Sequence, residues 1–275
     1  MRGRSRTIEA AWRNPIFWAA CFVLVFLSAP SLIVVPLSFC DDTVLRFPPP
    51  AWSSRWYGAF FASTEWRAAA VRSLLVAIAT TLLAMPAGIA TALALRDRAG
   101  IWVNAVRIAV LSPIFALGVL FGIAVLFLYA QLGLNNSLLG LVLAHAAVAL
   151  PFVTVLMEAG IAQLDLSLEV AAASLGAPPL RVLLTVTLPM LRPSILSAAL
   201  FAFLASFDEI AIAYFISSGD YATLPRRMFS ALRDSIDPTI AVVSSLLIVV
   251  TSVLIMLSFL VGMERRSAER TGVDR

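Results

Sequence analysis

QLDLSLEVAAASLGAPPLRVLLTVTLPMLRP, running from Gln163 to Pro193, is the longest segment in the second half of the chain that a bilayer would reject. Apolar runs flank it on both sides. It carries Asp165, Glu169, Arg181 and Arg192, three consecutive alanines (Ala171, Ala172 and Ala173), a lone Gly176, the Pro178-Pro179 break and a closing Leu188-Pro189. A short connector suffices to join two helices, so about thirty residues with their own pattern point to a working part. Asp165 or Ser167 is placed to cap a helix start, and Glu169 falls in the first turn, where the dipole favours an acid. Gly176 and the two prolines then end the helix. The alanines leave a flat face that another helix can approach. Two readings fit: a rigid lever held between two membrane helices, or an amphipathic helix lying on the headgroups.

Working outward, 61% of the 275 residues are hydrophobic and 13% are charged, against roughly half and a quarter in a soluble domain. The excess is surface for lipid, so the bilayer is the first partner. Apolar runs near 16–39, 73–95, 108–130, 138–160, 194–217 and 240–262 each reach the roughly 20 residues that a crossing needs. Their continuous apolar character favours helices over the alternating strands of a barrel. Pro30, Pro36, Pro86, Pro113 and Pro151 lie in or at the ends of these runs, where neighbouring helices satisfy the freed carbonyls. The expectation is an all-α membrane protein of six transmembrane helices, a single domain over 1–275. The first run is too long for the roughly 7–15-residue core of a signal peptide and reads as a retained span.

All 20 basic residues are arginine. The absence of lysine excludes a Walker A phosphate loop, and the arginines sit scattered at span ends, with no basic face for nucleic acid. With the N-terminus inside, Arg2, Arg4, Arg6, Arg13, Arg96, Arg98, Arg107, Arg181, Arg192, Arg265, Arg266, Arg270 and Arg275 lie on the inner side. Only Arg46, Arg55, Arg67, Arg72, Arg226, Arg227 and Arg233 lie outside. This bias puts both termini and residues 163–193 in the cytoplasm. Cys21 and Cys40, roughly 28 Å apart on a helix, are packing thiols beyond disulfide reach. His145 is the only histidine, which leaves no metal site, no nucleophile–base pair and no enzyme. It reads as a packed residue. Glu158 reads as solvated, and Gly118 with Gly122 as a small-xxx-small packing pair. Trp52, Trp56, Tyr57 and Trp66 read as an interfacial aromatic belt, with partner docking as the second reading. Residues 218–238 form a polar outer loop suited to touching a soluble partner.

Asp208 and Glu209, beside Phe207, fall inside the fifth apolar run. Acids at that depth are costly and mark function by default. On one continuous helix they point about 100° apart, so one of the two faces the translocation pathway. Their charge suits a cationic substrate; the alternative is a structural carboxylate bonded to a neighbouring helix.

The stretch 163–193 also resembles the cytoplasmic signature of binding-protein-dependent ABC importer permeases: Glu-Ala-Ala, three residues, Gly, nine residues, Ile, one residue, Leu-Pro. Here Ala171-Ala172, Gly176, Val186 and Leu188-Pro189 stand at the matching positions. Val170 replaces the signature Glu, with Glu169 one residue earlier, and Val186 replaces Ile. WYGAFF, the Arg72-Ser73-Leu74 entry, SFDE at 206–209 and Asp237-Pro238-Thr239 resemble the spermidine/putrescine, or polyamine-type, branch. The resemblance implies a type I ABC importer permease (MetI-like) fold in a bacterial inner membrane, with no cofactor of its own. It implies a dimer of cytoplasmic ATP-binding subunits, a second permease forming a heterodimer and a periplasmic solute-binding protein. Glu169, Ala171, Ala172, Gly176, Leu188 and Pro189 would then couple to the ATPase, while Phe207, Asp208 and Glu209 would line the pathway. A polyamine or another organic cation is the expected cargo. The alternative is a stand-alone ion-coupled secondary transporter using Asp208 and Glu209, against which six spans without a repeat are few.

Overall fold

The computed structural model describes residues 15–96, 98–234, 237–253 and 255–256, apart from the Ile16 side chain. The arginines before residue 15 and after 256, and the end of the sixth expected span, lie outside the described residues. In chain order the helices are α1 (Pro15–Leu37), α2 (Arg55–Ala62), α3 (Thr64–Leu95), α4 (Ile101–Phe115), α5 (Gly118–Leu132) and α6 (Leu138–Ile161). There follow α7 (Leu166–Ser174), α8 (Pro179–Met190), α9 (Arg192–Phe207), α10 (Ala211–Ile216), α11 (Leu224–Asp234) and α12 (Thr239–Val253). No strand occurs among the described residues. Helices α1, α3 and α6 are each long and apolar enough to cross a bilayer, and counting the bent pairs α4–α5 and α8–α9 as one span apiece gives five. Helix α12 is apolar but shorter.

Two compact units divide the chain: residues 1–63 with 231–254, and residues 64–230 with 255–275. In the first, the chain leaving α1 pairs Cys40 with Trp52 in an isolated bridge. The Phe39 ring packs on Tyr57 at 5.0 Å, and the Ser38 and Tyr57 hydroxyls bond at 2.8 Å. Part of the expected aromatic belt is therefore a local knot beside α2. Cys21 and Cys40 are free thiols.

In the second unit α3, α6 and α9 share a core of Ala84, Ala92, Ala149, Val153, Met157, Leu191, Ala198 and Ala202. Small side chains let these helices approach closely, and Gly88 lies against Val153 with no room for a Cβ. A second cluster joins α5 and α10 to this group through Val76, Val125, Tyr129, Leu141, Ala144, Ile212 and Ile216. Trp66 is 4% exposed, with the Arg227 guanidinium 5.6 Å from its ring centroid, so it is covered by protein and not part of an interfacial belt.

At three of the expected spans the helices run differently from the apolar stretches. Helix α3 begins at Thr64, not near 73. At about 1.5 Å per residue its 32 residues reach roughly 48 Å, well past the roughly 30 Å hydrocarbon layer. The third expected span is not one helix: α4 and α5 meet at 108°. Pro113 lacks an N–H for the preceding turn, and Ala116 and Leu117 are extended. The fifth expected span stops at Phe207 and resumes at Ala211.

Past their breaks the two interrupted spans pack together. Gly118 and Ala211, the first residues of α5 and α10, meet, and a Cβ on Gly118 would stand 3.1 Å from that of Ala211. One turn on, Gly122 faces Phe215. The Gly118–Gly122 pair thus does what its spacing predicts, and the two breaks lie side by side.

Candidate coupling helix and broken-span site

Helix α7 starts at Asp165, whose Oδ1 accepts from the Ser167 N–H at 3.0 Å. Hydrogen bonding from Ser167, its hydroxyl first and its N–H next, holds the Asp165 carboxyl below the ordinary carboxylate range. The helix ends in a Schellman motif. The Ala177 N–H donates to the Ala172 carbonyl at 3.2 Å and the Gly176 N–H to that of Ala173 at 2.9 Å. Gly176 sits at φ +84°, the left-handed conformation this motif needs and L side chains resist. Pro178 is extended and Pro179 opens α8 at its first helical position, where a missing N–H costs nothing. The fixed spacing from Ala172 to Gly176 is the geometry of one helix end.

Within α8, residues Leu183–Thr187 form a π turn. Pro189 lies just beyond, with no N–H and with a ring that would press on the Thr185 carbonyl in a regular helix. Widening the preceding turn relieves that clash. The widened turn carries the Thr187 hydroxyl to Glu169 Oε1, to which it donates at 2.7 Å. Arg96, just past the end of α3, reaches the same carboxylate in a fork: Nη1 to Oε1 at 3.0 Å and Nη2 to Oε2 at 2.8 Å. The two side chains are only 17% and 19% exposed. Hydrogen bonding from Arg96, and next from Thr187, holds the Glu169 carboxyl below the ordinary carboxylate range. Both oxygens of Glu169 are thus taken within the chain. It braces α7 against α3 and the π turn.

The outward side of this loop is apolar. Val170, at the position of the signature Glu, is 64% exposed and Leu175, at the helix end, 89%. Ala171 is exposed, Ala172 half-buried, and Leu188 and Pro189 half-buried in the turn behind. Beside the brace a groove of about 370 Å³ is lined by Leu93, Val170, Ala173, Ala177, Val182 and Leu183 among others. Next to it a cavity of about 290 Å³ is lined by Arg96, Arg107, Glu158, Leu164 and Leu166 among others. Glu158 is not simply solvated: its Oε1 accepts from Arg107 Nη2 at 2.9 Å and Nε at 3.2 Å.

At the break in the fifth span Asp208 ends α9, and its side chain is exposed. Glu209 is half-buried, and its Oε1 accepts from the Ile212 N–H at 2.9 Å, in the first turn of α10. Phe207 is half-buried and stacks on Phe203, ring centroids 5.5 Å apart. His145 of α6 is packed, as its sequence setting predicts: it is 1% exposed and its Nδ1 lies 3.1 Å from the Ser206 carbonyl. Of the expected site residues, Glu169 forms the brace, Ala172 and Gly176 close the end of its helix, and the acidic pair stands at a helix break. Arg96 and Thr187 escaped the sequence reading. Each is the polar residue at the edge of an apolar run, which is the one local signal they carry. No group of three metal-binding side chains occurs among the described residues.

Residues 58–266 match the family described as binding-protein-dependent transport system inner membrane component, and the chain belongs to that family. The putrescine transport system permease protein PotI of Escherichia coli (strain K12) is 32% identical over 248 residues, 88% of this chain and 87% of its own. The spermidine/putrescine transport system permease protein PotC of Haemophilus influenzae is 30% identical over 244 residues, 87% of this chain and 93% of its own. The molybdenum transport system permease protein ModB of Mycobacterium bovis is 33% identical over 221 residues, 75% and 82% of the two chains. A bacterial ABC transporter involved in the import of the acidic polysaccharide alginate shares the fold, with a TM-score of 0.68 over 96% of each chain at 16% identity.

Proposed function

We propose that this family member is one permease subunit of an ATP-driven importer for a small organic cation, with putrescine and spermidine the first candidates. The observation that carries the reading is α7: a short helix closed by Gly176, braced from behind by Glu169, and presenting Val170 and Leu175 outward. A helix braced in this way moves with α3 and α9 when it is pushed. The arginine bias supports a cytoplasmic position for it and for both termini. There a dimer of ATP-binding subunits would grip it, while a periplasmic binding protein delivers cargo on the other side and a second permease completes the pore.

Cargo charge does not follow from the fold, since relatives of this chain are named for putrescine and for molybdenum. It rests on Asp208 and Glu209 together with the similarity to the two polyamine permeases. On this reading the adjoining breaks in the third and fifth spans put irregular backbone at membrane depth. Such backbone is tolerated where it is covered by protein or lines a water-filled path.

The test is purification from the native membrane, in mild detergent, of the chain tagged after Arg275. The expected companions are an ATPase and a second permease, and the assembly reconstituted with its binding protein hydrolyses ATP and takes up labelled putrescine. Uptake by the chain alone in liposomes, driven by a proton gradient, would overturn this and establish the ion-coupled carrier instead.

A further inference from the structure

The break between α9 and α10 is held from both sides by side chains. In an uninterrupted helix the Ser206 carbonyl would accept from the Ile210 N–H. Here the Ile210 N–H is replaced by weaker backbone donors, the Glu209 N–H at a long 3.4 Å and the Asp208 N–H, which it shares with the Leu204 carbonyl. His145 Nδ1 lies 3.1 Å from that carbonyl and 3.0 Å from the Ser206 hydroxyl. With its proton on Nδ1 the imidazole supplies the donor that the break removed, as side chains do at helix C-termini. The histidine is fully enclosed, and among the described residues its Nε2 has no hydrogen-bond partner. On the far side, the Glu209 carboxylate takes the Ile212 N–H, one of the orphan donors of α10. One acid of the pair is therefore engaged in structure. The other, Asp208, is exposed, and among the described residues no ion pair or side-chain hydrogen bond reaches it. An exposed carboxylate at membrane depth faces water or a partner cation, not lipid.

We propose that the acidic pair is divided in function: Asp208 is the carboxylate that meets a cationic cargo, and Glu209 and His145 are positioning residues that hold the two helix ends at the break. The assignment of cargo charge rests on the reading given under Proposed function.

The complete complex in proteoliposomes, with binding protein and ATP, separates the two roles by the amount of diamine moved per ATP hydrolysed. D208N lowers that ratio at least tenfold. E209L and H145L slow uptake and hydrolysis together, leaving the ratio within about twofold. E209Q, which keeps a carbonyl acceptor for Ile212, and H145N, whose amide nitrogen stands near the place of Nδ1, recover both rates. A D208N complex with the wild-type ratio, or an E209Q complex uncoupled as strongly as D208N, overturns the division. A second arm uses the wild-type complex and a water-soluble carbodiimide with a glycine ester, mapped by mass spectrometry. Asp208 is modified, Glu209 is spared, and putrescine during turnover protects Asp208. Equal modification of Glu209 overturns the division too. If the wild-type complex moves neither putrescine nor spermidine, the cation reading fails. Selective modification of Asp208 would then still uphold the two structural roles, and its absence would remove them.

Discussion

Removing the brace behind α7 should loosen that helix without altering its own sequence. Glu169 accepts two bonds from Arg96 and one from Thr187. Its side chain and that of Arg96 are 19% and 17% exposed. The pair therefore lies between exposed ion pairs, worth about 0.2–1 kcal/mol, and fully buried ones, whose breakage costs about 3–5 kcal/mol. A coupling energy of about 2 kcal/mol is expected, roughly thirtyfold in an equilibrium constant. Hydrogen exchange reads this locally, since the amides of Ala171–Ser174 exchange when α7 opens. R96A should lower their protection about thirtyfold, E169A, which also loses the Thr187 bond, should lower it further, and the double variant should lose little more than E169A. T187V should cost less, about 1 kcal/mol, because one neutral hydroxyl is lost. If the two single effects add to within about 0.3–0.5 kcal/mol, the residues are independent and the brace does not exist. A second refutation would come from the assembled importer. Were Glu169 to bind the ATPase directly, E169A would weaken subunit association by the same factor whether or not Arg96 was present.

The brace should also respond to pH in one direction. Glu169 binds Arg96 and Thr187 as a carboxylate, and its pKa is depressed in the fold. Its contribution is therefore complete above the unfolded value of about 4.3 and is lost as pH falls through the lower folded value. Intrinsic-rate-corrected protection of α7 should be flat from pH 8 to pH 5 and fall below, and a loss on raising the pH would contradict the geometry. G176A should cost about 1–2 kcal/mol because φ is +84°. Since nothing among the described residues lies within 4 Å of the added Cβ, G176N should recover part of it; exchange at the end of α7 measures both. G122A should cost about 1–3 kcal/mol in detergent denaturation. Its Cβ would stand 2.7 Å from the Phe215 ring and 3.1 Å from the Ala211 carbonyl oxygen, so α5 and α10 must part. G118A, which meets only the Ala211 Cβ, should cost less.

What could be read from the chain and what could not divide along a physical line. The spacing between Ala172 and Gly176 is legible because a helix end is made by neighbours in sequence. The same holds for Pro189, whose effect is confined to the turn before it. Glu169 and Arg96 stand 73 residues apart, and no local pattern pairs them. Hydropathy also counts apolar residues without registering a change of direction. It joined 108–130 into one span, although Ala116 and Leu117 turn the chain by 108°. The fifth span offered a better clue. Two adjacent acids on one continuous apolar helix would point about 100° apart, and burying both there would leave a second charge without a partner. A break resolves this: it frees N–H groups at the start of α10, and Glu209 satisfies one of them while Asp208 turns outward. Adjacent carboxylates inside an apolar run are therefore better read as a helix break with its own cap than as two candidates for one place in a pore.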